Sequence, residues 1–380
     1  MNFIDYLIWR GDVSMAYDPF NEIDNMLICQ LSYVDFNEIL PQDGSMSISD
    51  LAERYFSSHS LEDVYEQKTY LEMSPLVLYY MAKTSRFRNC RVFNYVSELS
   101  DEKQFAALML ELPDGSTAVC FRGTDDTLVG WKEDLMLSYT SIPSQERALE
   151  YLNQKTKPFR KYRVIGHSKG GNLALYAAVH CHPYVQKRII EVISNDGPGL
   201  RPGTYNEEDF RRIAKQTRLI VPEKDGVGTI FEMDVERKVV RSSTRNIVYA
   251  HSMFTWQVEA NRLVEADSAA YETDVNRQAI ITFLNETTEA QRKFFIDRLF
   301  TVFEEEKITT VSQLSAFGLA LIPRAFKMFS EMDEEAKKIA ALLVKTYSGR
   351  LSSDAYRSLS DNLNSFIEKR RWHRDNETSE

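Results

Sequence analysis

The chain has 380 residues, of which 43% are hydrophobic and 27% are charged, and its formal net charge at pH 7 is −10. A chain this apolar can offset the entropy cost of ordering, which excludes extensive disorder, and its 15 glycines and 11 prolines exclude a collagen-like repeat. The negative charge repels nucleic-acid phosphates and anionic lipid headgroups, so we expect no nucleic-acid partner.

The first part of the chain predicts helices, and a β-hairpin follows them. A turn and cap signal, Asp18-Pro-Phe-Asn21, precedes apolar residues at helical spacing. Farther on, the turn signal Pro113-Asp-Gly-Ser116 separates two apolar runs, as in a hairpin. The predicted helices lie around 21–34 and 61–83, and the predicted hairpin strands are Phe105–Leu112 and Thr117–Arg122.

Strands and helices alternate through the middle of the chain, which predicts an α/β fold with a mostly parallel sheet and crossover helices. The predicted helices are Trp131–Leu137, Gln145–Gln154, Gly171–His180 and Glu207–Gln216, and the predicted strands are Tyr162–Ile165, Ile189–Ser194 and Arg218–Val221. A second hairpin is predicted from Ile230–Val235 and Lys238–Ser242.

The pattern becomes helical beyond residue 261, with predicted helices at Glu289–Glu306, Glu334–Thr346 and Asp354–Arg371. We interpret residues 1–261 as one α/β domain and residues 262–380 as an α-helical C-terminal region.

The sequence Gly166-His-Ser-Lys-Gly170 follows an apolar strand and precedes a helix of small residues. This G-x-S-x-G pattern is typical of a nucleophile elbow, in which a strained turn exposes the Oγ of Ser168 above the sheet. The backbone N–H of Lys169, at the helix start, can donate to an oxyanion. The alternative is an anion-binding glycine turn, but the Gly-x-x-x-x-Gly-Lys-Ser/Thr pattern of a phosphate loop is absent.

A serine nucleophile needs a base, which is normally a histidine oriented by a carboxylate. Chain order and elimination select His251 from the six histidines, and His167 is interpreted as structural. Asp225 is the favoured acid because it follows the second strand after the nucleophile, which is the usual position. Asp196 follows the first strand and is the alternative, with an expected structural role in capping the Gly-Pro-Gly turn. Asp234 is a third candidate.

The segment Phe121-Arg-Gly-Thr124 ends a predicted strand. The second oxyanion donor of a hydrolase comes from a loop in this position, so Thr124 could supply its N–H and steady the anion with its hydroxyl. The alternative is an ordinary β-turn capped by Thr124 and Asp125.

These motifs carry a resemblance to known families. Phe121-Arg-Gly-Thr124, Trp131, Asp134-Leu135 and Gly166-His-Ser-Lys-Gly-Gly-Asn-Leu-Ala174 resemble the class 3 (fungal-type) lipases. Trp9-Arg-Gly-Asp12, the segment 18–24, Asn195-Asp-Gly-Pro-Gly199 and the segment 250–256 are similar to marks of a bacterial lipase-like α/β-hydrolase family, labelled as a domain of unknown function. The likeness spans roughly residues 1–260. It implies an oxyanion role for Thr124 and the triad order Ser168, Asp225, His251.

We therefore predict a serine hydrolase that cleaves a carboxylic ester or lipid through an acyl-enzyme on Ser168, without a metal or organic cofactor. The alternative is a hydrolase-fold binding or scaffolding protein with little turnover, which would offer its C-terminal helices to a partner. Residues 126–144 could form a mobile lid over an acyl pocket or an ordinary amphipathic helix.

The four cysteines, Cys29, Cys90, Cys120 and Cys181, form no CxxC pair, which indicates neither a disulfide framework nor a zinc knuckle. The N-terminus lacks the pattern of a signal peptide, and no apolar run approaches the length of a membrane span. We therefore expect a cytoplasmic protein with no transmembrane segment.

Overall fold

The computed structural model describes residues 1–41, 43–66, 71–244, 247–267, 275–310 and 313. The predicted helices Glu334–Thr346 and Asp354–Arg371 lie outside these residues, and the boundary between residues 261 and 262 stays a prediction. None of the helices within the described ranges has both the length and the apolar character needed to cross a membrane.

Eight strands of the described chain form one sheet, in which their order matches their order in the sequence. The first four strands pair antiparallel, and the pairs from β4 to β8 are parallel. The strands are β1 Ser45–Ser47, β2 Arg91–Leu99, β3 Gln104–Glu111, β4 Thr117–Phe121, β5 Tyr162–His167, β6 Ile189–Asn195, β7 Thr217–Pro222 and β8 Glu236–Val240. A separate antiparallel pair consists of β9 Val258–Glu259 and β10 Arg262–Leu263.

Helices flank the sheet and connect its parallel strands. They are α1 Phe3–Arg10, α2 Glu22–Leu31, α3 Ile48–Phe56, α4 Leu61–Tyr65, α5 Pro75–Ala82, α6 Leu128–Met136, α7 Pro143–Lys155, α8 Lys169–His180, α9 Pro183–Gln186, α10 Glu207–Ile213, α11 Ile247–Ala250, α12 Val275–Glu286 and α13 Glu289–Glu305. Short 3₁₀ turns lie at Ala214–Gln216 and Met253–Thr255. The predicted α/β fold, with helices in the C-terminal region, is confirmed.

The sheet has a hydrophobic core on each face because successive side chains of a strand point in opposite directions. In β4, Ala118 and Cys120 pack into a cluster with Met26 and Leu27 of α2. Val119 and Phe121 face the other way, into a cluster that includes residues of α7 and α8. Both faces of the parallel half are therefore covered, as expected for parallel strands joined by crossover helices.

Two local predictions differ from the structure. Residues 230–235 form no strand, and the predicted hairpin is replaced by β8 alone, which pairs in parallel with β7. Phe231 has a φ of 55°, a left-handed conformation that interrupts an extended strand. The stretch at 61–83 contains two short helices, α4 and α5, and the long strand β2 was not anticipated.

The C-terminal helix α13 packs against α6. Ile296 and Phe300 form a small cluster with Leu128 and Tyr139, and Ile308 completes it. The backbone N–H of Leu128 also donates to the carbonyl of Thr309 at 2.9 Å. Ile296 and Phe300 of α13 thus form core packing against the segment that follows β4.

Candidate active site

Ser168 occupies the sharp turn between β5 and α8, with φ 57° and ψ −131°. Residues other than glycine rarely adopt a backbone conformation with positive φ, so Ser168 is strained. The turn requires glycine on both sides. A Cβ on Gly166 would lie 2.1 Å from the carbonyl oxygen of Gly170, and a Cβ on Gly170 would lie 2.1 Å from the carbonyl oxygen of Phe121. The local geometry is therefore that of the predicted elbow.

His251 lies just after the short helix α11, and its side chain retains 25% exposure. Its Nδ1 is 2.6 Å from Oδ2 of Asp196, which is fully buried. Asp196 directly follows β6, the strand beside the elbow, and it too has a positive φ, of 48°. The backbone N–H of Ser168 donates to the carbonyl of Asn195 at 2.9 Å. Asn195 directly precedes Asp196, so the elbow and the carboxylate that contacts His251 are joined at neighbouring residues.

Asp225, the favoured acid of the sequence analysis, accepts hydrogen bonds from the turn that follows it. Its Oδ1 accepts from the backbone N–H groups of Val227 at 2.7 Å and Gly228 at 2.9 Å, and its Oδ2 accepts from Oγ1 of Thr229 at 3.0 Å. Asp225 therefore caps a turn, which was the role expected of Asp196, whereas Asp196 bonds to His251. The reason is that Asp196 leaves β6 directly at the sheet edge, while Asp225 lies beyond the end of β7, in a loop that folds back on its carboxylate.

The two carboxyl groups are neighbours. The backbone N–H of Gly228 donates to Oδ1 of Asp225 and also to Oδ1 of Asp196, at 3.1 Å. Burial raises the pKa of Asp196 to about 7, and its hydrogen bonds with Asp225 and Gly228 limit the rise. Burial also lowers the pKa of His251, while the negative charges of Asp225 and Asp134 act in the opposite direction.

His167 connects the elbow to the segment that carries His251. Its Nε2 is 2.9 Å from the carbonyl oxygen of His251, and its Nδ1 is 3.0 Å from the hydroxyl of Tyr33. Sequence reasoning treated His167 as structural and did not find Tyr33, because nothing in the sequence pairs a residue of the early helical region with the elbow.

Thr124 and Lys169 both present backbone N–H groups that donate to no protein acceptor within the described residues. A Cβ on Gly123 would lie 3.1 Å from the Cβ of Ser168, so the loop that carries Thr124 runs against the serine. The hydroxyl of Thr124 donates to Oδ2 of Asp134 at 2.6 Å. That hydroxyl is therefore bound to Asp134, and the amide is the donor that remains for an anion.

The remaining candidates do not converge on this site. Asp234 lies exposed in a bend before β8. No group of three or more potential ligands in the described part of the chain is arranged to hold a metal ion.

Ser168 makes no hydrogen bond to His251 within the described residues, and such contacts often tighten only when substrate binds.

Comparisons with known proteins place the chain in a family. The Mbeg1-like family model matches residues 81–301, more than half of the chain. Solved structures with a match include the crystal structure of M37 lipase, at 16% identity and a TM-score of 0.33, covering 55% of this chain and 69% of that one. No curated protein gives a significant match. The family model confirms the resemblance to a lipase-like family: the chain belongs to the Mbeg1-like family.

Proposed function

We propose that this protein is a serine hydrolase that cleaves a carboxylic ester through an acyl-enzyme on Ser168. The lipase-like family and the fold suggest a hydrolase. The observation that carries the finer proposal is the 2.6 Å contact between Nδ1 of His251 and Oδ2 of Asp196, beside a serine in the strained elbow conformation. In this proposal Asp196 replaces Asp225 as the carboxylate that orients the base.

The reaction follows from these positions. Ser168 Oγ attacks the ester carbonyl carbon while Nε2 of His251 takes the hydroxyl proton. The carbonyl oxygen becomes an oxyanion that the N–H groups of Lys169 and Thr124 stabilise. The carbon–oxygen bond to the alcohol then breaks, and the alcohol leaves with the proton held by His251. Water attacks the acyl-enzyme by the same route, which releases the acid and restores Ser168.

The electrostatics suit a histidine base. The lowered pKa of His251, which results from burial, keeps its imidazole neutral and able to accept a proton. Asp196 must be ionised to stabilise the imidazolium that forms, and its pKa of about 7 predicts that turnover rises as pH increases through neutrality. Because the two groups share a hydrogen bond, this rise belongs to the pair and not to either residue.

We infer that the substrate is a small acyl ester or a lipid, as the lipase-like family suggests. The buried cysteines, all free thiols in the structure, are compatible with the proposed cytoplasmic location. A binding or scaffolding protein remains the rival. The pairing of His251 with Asp196 favours the enzyme, because a scaffold has no use for an oriented base.

The test is covalent labelling by a fluorophosphonate, which reacts with an activated serine. We expect wild type to be labelled and to hydrolyse short p-nitrophenyl esters, and Ser168→Ala to do neither. The matched control is Ser194→Ala, since Ser194 is a buried serine on the neighbouring strand β6. Absence of labelling and hydrolysis in folded wild type would favour the scaffold.

A further inference from the structure

Two consecutive carboxylates on α6 contact the two residues whose amides form the proposed oxyanion hole. Asp134 accepts from the hydroxyl of Thr124, as described above. Glu133 accepts from Nζ of Lys169 at 2.8 Å. A single helix therefore holds the side chains of both residues, and it approaches them from the same side.

The ammonium of Lys169 is completely enclosed. Its side chain has 0% exposure and that of Glu133 has 1%. Besides Glu133, Nζ donates to the backbone carbonyl of Gln104 at 2.9 Å and to Oε1 of the same residue at 2.7 Å. All three ammonium protons are used, so the charge is both paired and hydrogen-bonded, as burial requires.

Glu133 in turn is fixed by groups from outside its helix. Its Oε1 accepts from the backbone N–H of Ser144 at 3.1 Å and from the hydroxyl of Ser144 at 2.6 Å. Its Oε2 also accepts from the backbone N–H of Gln104 at 3.1 Å. These contacts join α6 to the start of β3 and to the first turn of α7, so Glu133 has little freedom to move.

Lys169 follows the strained Ser168 directly and is the first residue of α8. Rotation of the Ser168–Lys169 peptide would change the direction of the Lys169 N–H and would displace the Lys169 side chain. An oxyanion donor must lie within about 2.7–3.1 Å of its target, so small rotations of this peptide matter. An anchored side chain on the donor residue restricts them.

We propose that Glu133 is a positioning residue of the oxyanion hole, which fixes the Lys169 amide through the buried Lys169–Glu133 ion pair. This inference rests on the proposed function. It also makes α6 an anchored part of the catalytic scaffold and not a mobile lid, because lifting α6 would expose an ion pair that is now buried and complete. The segment 126–144, which the sequence also allowed as a lid, here holds Thr124 and Lys169 in place through Asp134 and Glu133.

The first test is Glu133→Gln, which keeps the shape of the side chain and removes its charge. We expect kcat for a p-nitrophenyl ester to fall about 100-fold while KM changes less than about threefold, because the oxyanion exists only near the transition state. The control is Glu98→Gln, since Glu98 forms a partly exposed ion pair with Arg147 away from the elbow. It should retain the wild-type kcat.

A second variant covers the case in which the unpaired Lys169 charge prevents folding. Glu133→Gln combined with Lys169→Met leaves no uncompensated charge, so this double variant should fold. We expect it to remain slow, with a loss that is much smaller than additive, because both changes break one contact. The variant that folds should also show an altered ³¹P chemical shift in its phosphonyl-serine adduct, whose phosphoryl oxygen occupies the oxyanion hole.

A folded variant with wild-type kcat and an unchanged ³¹P shift would overturn the inference. If wild type still hydrolysed the ester, the proposed function would survive that result. A folded wild type that neither hydrolyses esters nor reacts with the fluorophosphonate would instead overturn the proposed function and the inference with it.

Discussion

His167 donates from Nε2 to the carbonyl oxygen of His251, across 2.9 Å. A carbonyl can only accept, so the proton of this imidazole lies on Nε2, and Nδ1 accepts from the hydroxyl of Tyr33. Burial, together with the nearby His251, lowers the pKa of His167 to about 3, so the ring is neutral and carries one N–H. The residue before the nucleophile thus holds the backbone of the proposed base.

Tyr33→Phe should weaken this connection. Without the hydroxyl, Nδ1 of His167 loses its donor and the tautomer that binds the His251 carbonyl loses its support. We expect kcat to fall about tenfold with little change in KM, which corresponds to one lost hydrogen bond. Steady-state ester hydrolysis measures this, with Tyr184→Phe as control because Tyr184 is 60% exposed. Equal kcat in both variants would show that His167 does not hold the base.

The proposed role of Asp196 as the acid predicts opposite behaviour in the amide variants of Asp196 and Asp225. Asp196→Asn should fold and lose about 10⁴ in rate, because an amide cannot hold the imidazole in the required tautomer. Asp225→Asn should lose about 1 kcal/mol of stability, as for a capping side chain, and keep most of its turnover. Thermal melting measures the stability of both variants, and ester turnover measures their activity. The opposite pattern would return the acid to Asp225.

The raised pKa of Asp196 also predicts a pH dependence of stability. Burial raises it to about 7 in the folded state, whereas an unfolded chain has a value of about 3.9. The folded state therefore binds the proton more tightly, and its free energy of unfolding falls as pH rises through this window. Asp196→Asn cannot ionise, so its stability relative to wild type should be greater at pH 8 than at pH 5.

Urea denaturation of both proteins at the two pH values measures this difference. An identical difference at pH 5 and pH 8 would mean that Asp196 does not titrate between them.

The contact between α13 and α6 predicts that the C-terminal helices support the site. Phe300 is 5% exposed and packs with Leu128 and Ile296. Phe300→Ala should lower the free energy of unfolding by about 3–5 kcal/mol. It should also reduce ester turnover, because α6 carries Glu133. Chemical denaturation provides the measurement, and Phe159→Ala is the control, since Phe159 is 88% exposed. Equal free energies of unfolding in Phe300→Ala and Phe159→Ala would show that α13 does not support the site.

The elbow could be predicted from the sequence because its requirements are local. A Cβ on Gly166 would meet the backbone of Gly170, four residues farther on, and the change from strand to helix occurs at Ser168 itself. His251 could be proposed from chain order. Asp196 and Asp225 could not be separated in this way, since both follow parallel strands that end at the same sheet edge. The carboxylate that reaches His251 depends on the conformation of the turn at Gly228, and this conformation cannot be predicted from the sequence.

Glu133 was missed for a different reason. An acidic residue within Trp131-Lys-Glu-Asp-Leu135 is ordinarily a solvated surface group, and its burial results from the packing of α6 on β3 and α7. A lysine immediately after the nucleophile was the one available signal, because a cation at the start of a buried helix needs a partner. The false hairpin at 230–242 has the same origin: apolar residues predict burial but do not fix φ, and Phe231 adopts a left-handed conformation.

The central claim is that Ser168 carries an acyl group during turnover. The most direct measurement is acid quenching of wild type during hydrolysis of p-nitrophenyl butyrate, followed by peptide mass spectrometry. We expect a butyryl group on the peptide that contains Ser168, and a larger fraction of it in Asp196→Asn if deacylation slows more than acylation. Ester turnover with no acyl group on Ser168, and with equal turnover in Ser168→Ala, would contradict it.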